Sequence, residues 1–590
     1  MKFYIVLFVA CLHLFSSYAQ ELPPVFGQEY SGKVFHDSRA RSYLTPQRIV
    51  WRNDGGGKLI TNPEGLLEKG NNGQSELTNK QVCTMRSTTN EYAAILLDFG
   101  KEIQGGIQFV TTAAGKQTPV KIRVRFGESV SEAMSDIGKQ GATNDHAMRD
   151  FTMELPWLGV AEIGNSGFRF VRIDLLEPDQ QLSLKEINAV FAYRDIPYLG
   201  SFRCNDERLN QIWMTGAYTV HLNMQEYLWD GIKRDRLVWL GDLHPEVMTV
   251  SSVFGYNEVV PKSLDLARDI TPLPGWMNGM CSYSLWWVII HRDWYRYQGS
   301  LDYLKEQQTY LTGLLNLLFT KVDDSGQEKL DGGGRFLDWP SSPNKEGVDA
   351  GLQALMVMTF QAGSELCAVL GDKGLSVKCA DMAAKMQKKV PFHNHLKQAA
   401  SLQALAGMIT AKQANEDVIA VGGAKNFSTF YGYYMLQAQA QAGEYQAAMN
   451  NISQYWGGML DMGATSFWED FDLDWTKNAA RIDEIVPEGK KDIHADFGAY
   501  CYKNLRHSLC HGWASGPTAW LTEHVLGVQV AEPGCKVLRI EPNLGDLEWV
   551  EGTFPTPQGV VKISHKKEAG GKIKTDVKAP KGVKIIKVSK

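Results

Sequence analysis

The sequence has no excess of positive charge. Its 61 lysines and arginines are outnumbered by 66 aspartates and glutamates, which gives a formal net charge of −5. Nucleic-acid binding depends on a basic surface that neutralises phosphates, so we expect no nucleic acid among the partners. Low-complexity tracts are also absent, and with 44% hydrophobic and 22% charged residues the composition is that of a folded globular protein.

Cysteine is sparse and shows no metal-binding pattern. Nine cysteines occur in 590 residues, without a CxxC pair or another spacing typical of zinc sites. Besides Cys11 near the N-terminus, they are Cys83, Cys204, Cys281, Cys367, Cys379, Cys501, Cys510 and Cys535. A chain of this size builds enough core to do without disulfides, so we expect buried free thiols. Neither a metal ion nor an organic cofactor is predicted.

Long hydrophobic runs are absent after the first residues, because no later stretch has the roughly 18 uninterrupted apolar residues of a membrane-spanning helix. Residues 1–19 instead have the pattern of a secretory signal peptide: Lys2 supplies positive charge, Tyr4 to Phe15 the apolar run, and Ser17-Tyr18-Ala19 a cleavage site. Cys11 lies inside the apolar run, which does not suit a lipoprotein site. We therefore expect a soluble, secreted or periplasmic product.

Three regions are predicted after the leader, in line with the three or four domains expected for this length. Residues 20–199 contain alternating segments, such as Ile122, Val124 and Phe126 between charged neighbours, which predict a β-sandwich or jelly roll. Residues 200–528 repeat apolar positions three and four apart and would hold about twelve helices, which favours an (α/α)6 barrel of six hairpins. Residues 529–590 alternate again and predict a small C-terminal β-sandwich.

A polar, turn-rich insertion, GATNDHAMRD, extends from Gly141 to Asp150 within the first β region. We expect a solvated loop there, because connecting segments usually run over the surface. The alternative is a loop that reaches toward a ligand.

The segment EYLWDGIKRDRLVWLGDLHPE, from Glu226 to Glu246, concentrates carboxylates, arginines and tryptophans. Carboxylates accept hydrogen bonds from hydroxyl groups, arginines donate to ring oxygens, and flat indoles cover C–H surfaces. This combination suits a neutral polyhydroxylated ligand, and the 16 tryptophans and 22 tyrosines of the chain favour carbohydrate. The alternative is a turn between helices that carries surface ion pairs.

DGIKRDRLVWLGD, from Asp230 to Asp242, resembles the signature of glycoside hydrolase family 78, the α-L-rhamnosidases, whose usual form is close to D-C-P-Q-R-(D)-E-R-x-G-W-T-G-D. Three more phrases fit the same family in the same order: SFRCNDERLNQIW at 201–213, GATSFWEDFD at 463–472 and HSLCHGWASGPTAWLTEHVLGV at 507–528. The resemblance extends from about Leu96 to the C-terminus. It implies a multidomain fold, with an (α/α)6 barrel flanked by an N-terminal β-sandwich or jelly roll and a small C-terminal β-sandwich.

The resemblance also implies an inverting hydrolysis of terminal α-L-rhamnosides. Such a reaction needs one protonated carboxyl for the departing oxygen and one ionised carboxylate that activates water, about 6.5–9.5 Å apart. By register the acid is Asp235 and the base is Glu469. A helix N-terminal acid is the alternative for Glu469.

The chain departs from the family at the acid. Aspartate stands where the family has glutamate, and Gly231-Ile232 replaces Cys-Pro. The shorter side chain matters, since a misplacement of about 1 Å can cost on the order of a hundredfold in rate. Either the loop lies closer to the substrate, or the specificity has changed to another sugar, or the chain binds without turnover. Asp235 could also be a structural partner of a nearby arginine.

Several further residues match positions that bind the sugar in the family. Asp230 and Asp242 would accept hydrogen bonds from hydroxyls, with a surface turn as the alternative. The tryptophans would stack on the sugar, with core packing as the alternative, and for the adjacent pair we do not choose which one faces the pocket. His511 could equally be a core histidine. The implied substrate-binding set is Asp230, Arg234, Trp239, Asp242, Trp286, Trp287, Trp339 and His511.

The sequence thus predicts an exo-acting, inverting α-L-rhamnosidase-like hydrolase whose partner is a carbohydrate. The rivals are a glycosidase of the same fold for another terminal deoxysugar or uronic sugar, and a silent carbohydrate-binding relative. A polysaccharide lyase is disfavoured because the dense carboxylates would repel an anionic substrate. The oligomeric state is not predicted.

Overall fold

The computed structural model describes residues 37–68, 72–77, 82–113, 117–500 and 502–588. The signal peptide expected at residues 1–19 and Cys501 lie outside this range. From Arg39 onward the chain forms one compact unit.

The N-terminal region is a nine-stranded antiparallel sheet in the order β3-β4-β9-β5-β8-β6-β7, with β1 paired to β9 and β2 to β5. Its strands are β1 Ala40–Leu44, β2 Arg48–Asn53, β3 Ile60–Thr61, β4 Cys83–Arg86, β5 Ala94–Thr111, β6 Val120–Gly127, β7 Asp150–Leu155, β8 Gly159–Leu175 and β9 Gln181–Tyr193. A short helix, α1 Val130–Met134, follows β6.

Alternation explains the burial in β6. Ile122, Val124 and Phe126 are fully buried, whereas Lys121 and Arg123 between them are half-buried. The period of two therefore places the apolar side chains in the core of the N-terminal region, as a half-buried strand requires. The long strand β5 changes neighbours along its length: Ala94–Asp98 pair with β2 and β8, and the later residues pair with β8 and β9.

Twelve α-helices lie between Glu207 and Trp520 in the described part of the chain, which matches six hairpins. They are α2 Glu207–Asn223, α3 Leu243–Val253, α4 Val259–Asp269, α5 Cys281–Gln298, α6 Leu301–Phe319, α7 Lys345–Val369, α8 Lys373–Gln387, α9 Lys397–Leu405, α10 Ala411–Ala414, α11 Gly432–Gln441, α12 Tyr445–Asp461 and α13 Gly516–Trp520. Side chains cap several N-termini: Asp206, Ser300 and Asp372 accept hydrogen bonds from the first backbone N–H groups.

The C-terminal region contains two small sheets. One has the order β15-β16-β20 and the other β10-β17-β18-β19. Their strands are β10 Ser201–Cys204, β15 Val528–Glu532, β16 Val537–Ile540, β17 Trp549–Thr556, β18 Gly559–Lys567, β19 Ile573–Lys578 and β20 Lys584–Lys587. β10 joins this region although it precedes α2, because it pairs with β17. Pairing across some 350 residues leaves no trace in local periodicity.

The described cysteines and one long apolar helix lie inside the fold. The seven described cysteines are buried free thiols. One helix, α7, is long and apolar enough to cross a membrane by length and composition alone, but 72% of its most apolar window is buried inside the fold.

Candidate active site

The carboxylate-rich segment forms the connection between α2 and α3. Its backbone is tied to the segment before α13 by an isolated bridge between Gly231 and His511. A side-chain Cβ at Gly231 would lie 3.1 Å from the carbonyl oxygen of Cys510. The absence of a side chain therefore permits the close approach of the two segments, which brings the predicted motifs at 230–242 and 507–528 together.

Arg234 joins the two predicted catalytic carboxylates. Its Nη2 donates to both oxygens of Glu469, at 2.7 and 2.9 Å, and its Nη1 donates to Oδ1 of Asp235 at 3.1 Å. Glu469 lies in the loop after α12, more than 230 residues away in sequence. One guanidinium group therefore separates the two carboxylates and fixes their relative position.

Asp235 has an unusual backbone and a polar environment. It has φ of 54° and the next residue, Arg236, has φ of 59°. Left-handed conformations at non-glycine residues cost of order 1–3 kcal/mol each and cluster at functional sites. The second carboxylate oxygen of Asp235 accepts a hydrogen bond from the indole N–H of Trp239 at 3.0 Å. The predicted ion pair with Arg234 is thus present, within a larger set of contacts.

Glu469 is held as an anion between two cations. Burial alone would raise the pKa of its carboxyl, but Arg234 and His511 outweigh that effect, and the pKa lies below its usual value. His511 Nδ1 lies 3.8 Å from Glu469 Oε1. Burial alone would lower the pKa of His511, but Glu469 and the hydrogen bond to Asp242 raise it to about 9. At neutral pH both partners therefore carry charge.

Asp230 and Asp242 are both buried next to these residues. Asp242 accepts from His511 Nε2 at 3.0 Å and from the hydroxyl of Tyr283 at 3.1 Å. Asp230 accepts from the backbone N–H of Leu237 at 2.9 Å. Burial raises the pKa of both carboxyls, and well above the usual value for Asp230. His511 thus lies between Asp242 and Glu469, and neither aspartate occupies a surface turn.

The predicted tryptophans separate into two groups. Trp239 contacts Asp235 directly, and half-buried Trp339 lies in the loop before α7, where it lines a cavity with Glu469. Trp286 and Trp287 are fully buried in α5. Trp286 stacks on His244, and the indole N–H of Trp287 donates to the backbone of α4. The structure therefore places this pair in the barrel core.

A short hairpin covers the site. Its strands are β13 Gly498–Ala499 and β14 Tyr502–Lys503. The ring of Tyr502 lies 3.8 Å from the guanidinium carbon of Arg234, and Tyr500 stacks on Trp339 at 6.4 Å. The cavity between Glu469, Trp339 and Tyr502 measures about 10 Å³, which is room for roughly one water molecule.

A larger cleft of about 610 Å³ lies next to this cavity. Asp470 and Pro340 line both spaces, and Tyr500 and Trp475 line the cleft. Burial raises the pKa of Asp470 to about 7. A volume of this size is typical of pockets for small ligands.

The insertion at 141–150 does not form only a solvated loop. His146 Nε2 lies 3.4 Å from Asp235 Oδ1, and the carbonyl of Gln140, directly before the insertion, accepts a hydrogen bond from the backbone N–H of Leu505. The structure thus favours the alternative in which this loop reaches the site. Local polarity could not distinguish the two, because the contact partner is about 90 residues away.

Other residues at the site were not predicted from the sequence. Tyr283, Tyr502 and Trp513 contact Asp242, Arg234 and the backbone of Glu469, respectively. Only Trp513 had a sequence signal, since it follows His511 by two positions. Glu246, in α3, is fully buried with both carboxylate oxygens lacking a hydrogen-bond partner, and burial raises its pKa well above the usual value.

Two family profiles match the chain. The bacterial alpha-L-rhamnosidase 6 hairpin glycosidase domain matches residues 197–389, and the bacterial alpha-L-rhamnosidase C-terminal domain matches residues 527–587. The two matched ranges resemble domains of bacterial α-L-rhamnosidases. Solved structures of rhamnosidases, one of them from glycoside hydrolase family 78, share the fold of this chain. No curated protein matches it significantly.

Three of these structures give the extent of the likeness. The rhamnosidase of Bacillus sp. GL1 has a TM-score of 0.72 at 20% identity over 89% of this chain and 55% of that one. The Klebsiella oxytoca rhamnosidase with rhamnose bound has a TM-score of 0.63 at 19% identity, over 82% of this chain and 96% of that one. The Streptomyces avermitilis α-L-rhamnosidase complexed with L-rhamnose has a TM-score of 0.65 at 16% identity, over 83% of this chain and 48% of that one. The chain thus spans about half the length of the first and third of these structures.

Proposed function

We propose that the chain is an exo-acting glycoside hydrolase that removes terminal α-L-rhamnose with inversion, with Asp235 as the general acid and Glu469 as the general base. The observation that carries the proposal is the shared guanidinium of Arg234 between the two carboxylates. A guanidinium in this position prevents direct contact of the carboxylates. Inverting enzymes need such a gap because a water molecule must fit on the far side of the sugar.

The two carboxylates differ in a way that fits the two roles. The Glu469 side chain is 1% exposed and lies next to a cavity of about 10 Å³, where it would polarise an enclosed water. Its lowered pKa keeps it ionised, as a general base must be. The Asp235 side chain is 12% exposed. The acid would therefore face the side from which a leaving group departs.

The binding residues of the proposal are those that the structure brings together. Asp230 and Asp242 would accept hydroxyl hydrogens, Trp239 and Trp339 would pack on C–H faces, and His511 would hold Asp242 in place. No metal or organic cofactor takes part in the proposed reaction. A secreted or periplasmic location is part of the proposal and depends on the leader at residues 1–19.

A second candidate is a hydrolase of the same fold with another terminal deoxysugar or uronic sugar as substrate, and a third is a silent binder. Both alternatives are retained because the acid position carries aspartate, which is one methylene shorter than the glutamate of the family signature. A uronic sugar has to bring its negative charge next to Asp230, Asp235 and Asp242, and Arg234 and His511 provide opposite charge close by.

The test is the hydrolysis of p-nitrophenyl α-L-rhamnoside by the wild type, Asp235→Asn and Glu469→Gln. Circular dichroism checks folding, and Asp474→Asn, which removes an exposed carboxylate, is the matched control. We expect both site variants to lose activity, the control to keep it, and NMR to show β-L-rhamnose as the first product. Activity on another terminal sugar alone supports the second candidate; rhamnose binding without any turnover supports the third.

A further inference from the structure

A buried charged cluster lies behind the site. Glu128 follows β6, Glu132 lies in α1, and His494 follows the short strand Lys491–Asp492; their ligand-type atoms lie within 4.8 Å of one another. Such a group would suit a metal ion, but Nζ of Lys233 lies 3.0 Å from Glu128 Oε2 and 3.2 Å from Glu132 Oε1. The cation of this cluster is therefore a lysine of the segment that carries Arg234 and Asp235.

Lys233 is almost surrounded by oxygen atoms. In addition to the two carboxylates, its ammonium group donates to the backbone carbonyls of Leu505 at 3.1 Å and His507 at 2.6 Å. Its exposed fraction is 8%. Burial alone would lower the pKa of Lys233, but Glu128 and Glu132 raise it, so the ammonium stays charged.

The same cluster holds the other half of the site. Glu128 accepts the backbone N–H of Leu509 at 2.6 Å, and the neighbouring N–H of Ser508 donates to Glu469 Oε2 at 3.3 Å. Glu469 in turn donates its backbone N–H to the carbonyl of Ser508. The N-terminal region thus contacts the segment next to Asp235 and the segment next to Glu469 through one buried ion cluster.

We propose that Lys233, Glu128 and Glu132 form a positioning clamp that sets the separation and orientation of Asp235 and Glu469. This inference rests on the proposed hydrolase function. In the usual form of the family signature, glutamine occupies the position of Lys233, so the clamp is a feature of this chain. It fixes the strained loop that carries the shortened acid to the segment 505–509, and it makes the N-terminal region a part of the active-site scaffold.

Lys233→Gln tests the clamp. We expect kcat on p-nitrophenyl α-L-rhamnoside to fall about tenfold to a hundredfold with KM within about twofold of the wild type, because the reacting groups lose alignment while the sugar contacts remain. Hydrogen-exchange mass spectrometry should show faster exchange in residues 228–238 and 503–510. Asp174→Asn, which removes a carboxylate paired with Arg125 and Arg172 in the same sheet, is the matched control and should change neither readout.

If Lys233→Gln does not fold, the double variant Lys233→Gln/Glu128→Gln is measured in its place. This double variant leaves no unpaired charge at position 128. This variant should fold and keep the low kcat. The clamp is overturned if a folded Lys233 variant keeps kcat within twofold, or if Asp174→Asn lowers kcat equally. An inactive wild type would overturn the proposed function and not the clamp. In that case hydrogen exchange tests the clamp, and unchanged exchange of the Lys233 variant in both 228–238 and 503–510 would overturn it.

Discussion

Nη2 of Arg234 donates to both carboxylate oxygens of Glu469, and the ring of Tyr502 lies 3.8 Å from the guanidinium carbon of the same arginine. The pair is buried, with side chains 4% and 1% exposed. A buried ion pair adds little net stability, but the removal of one partner leaves an uncompensated charge. Arg234 is therefore the residue on which the electrostatics of the site depend.

Arg234→Met should destabilise the protein by about 3–5 kcal/mol, because Glu469 is left buried without its main partner. The matched double variant Arg234→Met/Glu469→Gln removes both charges and should recover most of that loss. Urea denaturation of the wild type and both variants measures the free energies of unfolding. Equal stability of the single and the double variant would contradict this prediction.

His511 should make the stability depend on pH. Its pKa is raised to about 9 in the folded state, against about 6.5 when unfolded, so its contribution is fully present below pH ~6.5 and is lost as the pH rises through ~9. The contribution is on the order of 3 kcal/mol.

Denaturation of the wild type and His511→Gln between pH 6 and 10 tests this. The stability difference between the two should shrink across that range. His565→Gln is the control, because burial lowers the pKa of His565 and so moves its titration away from the alkaline range in which His511 loses its proton. If the difference in unfolding free energy between the wild type and His511→Gln stays constant with pH, the prediction of a protonated His511 is wrong.

His146→Ala should lower kcat/KM on an aryl rhamnoside by about two- to tenfold. His146 lies 3.4 Å from Asp235 and is not itself a reacting group, so its loss should cost less than Asp235→Asn, given that general acid catalysis contributes about a hundredfold or more. His393→Ala, in a loop between α8 and α9, should have no effect. An effect of His146→Ala as large as that of Asp235→Asn would show that the histidine has a catalytic role of its own.

Binding of a sugar should displace the hairpin at 498–503. The cavity next to Glu469 has room for about one water, so a sugar ring requires the aromatic contacts of Tyr500 and Tyr502 to open. Addition of L-rhamnose should change hydrogen exchange in this hairpin and leave it unchanged in β18. Tyr502→Ala should bind rhamnose with a faster dissociation rate, measured by stopped-flow fluorescence, while Tyr43→Ala, on the exposed face of β1, should not.

Much of the fold could be predicted from local patterns. Ile122, Val124 and Phe126 alternate and are buried, and periodic apolar positions over 200–528 correspond to twelve helices. The strand Ser201–Cys204 was not separated from the helical region, because its pairing with β17 is decided by residues far along the chain. Local periodicity reports which face is buried and not which segment buries it.

The candidate site divides in the same way. The sequence by itself determined the chemistry: the carboxylates, arginine and tryptophan of the 230–242 segment and the carboxylate at 469. Only the tertiary structure decided which of them meet, that Arg234 links Asp235 to Glu469, that His146 and Tyr502 reach the site, and that Trp286 and Trp287 belong to the core. The reason is physical. Residue type fixes what a side chain can donate or accept. The burial, the partners and the pKa shift of that side chain depend on segments that are hundreds of residues apart in sequence and meet only in the folded barrel.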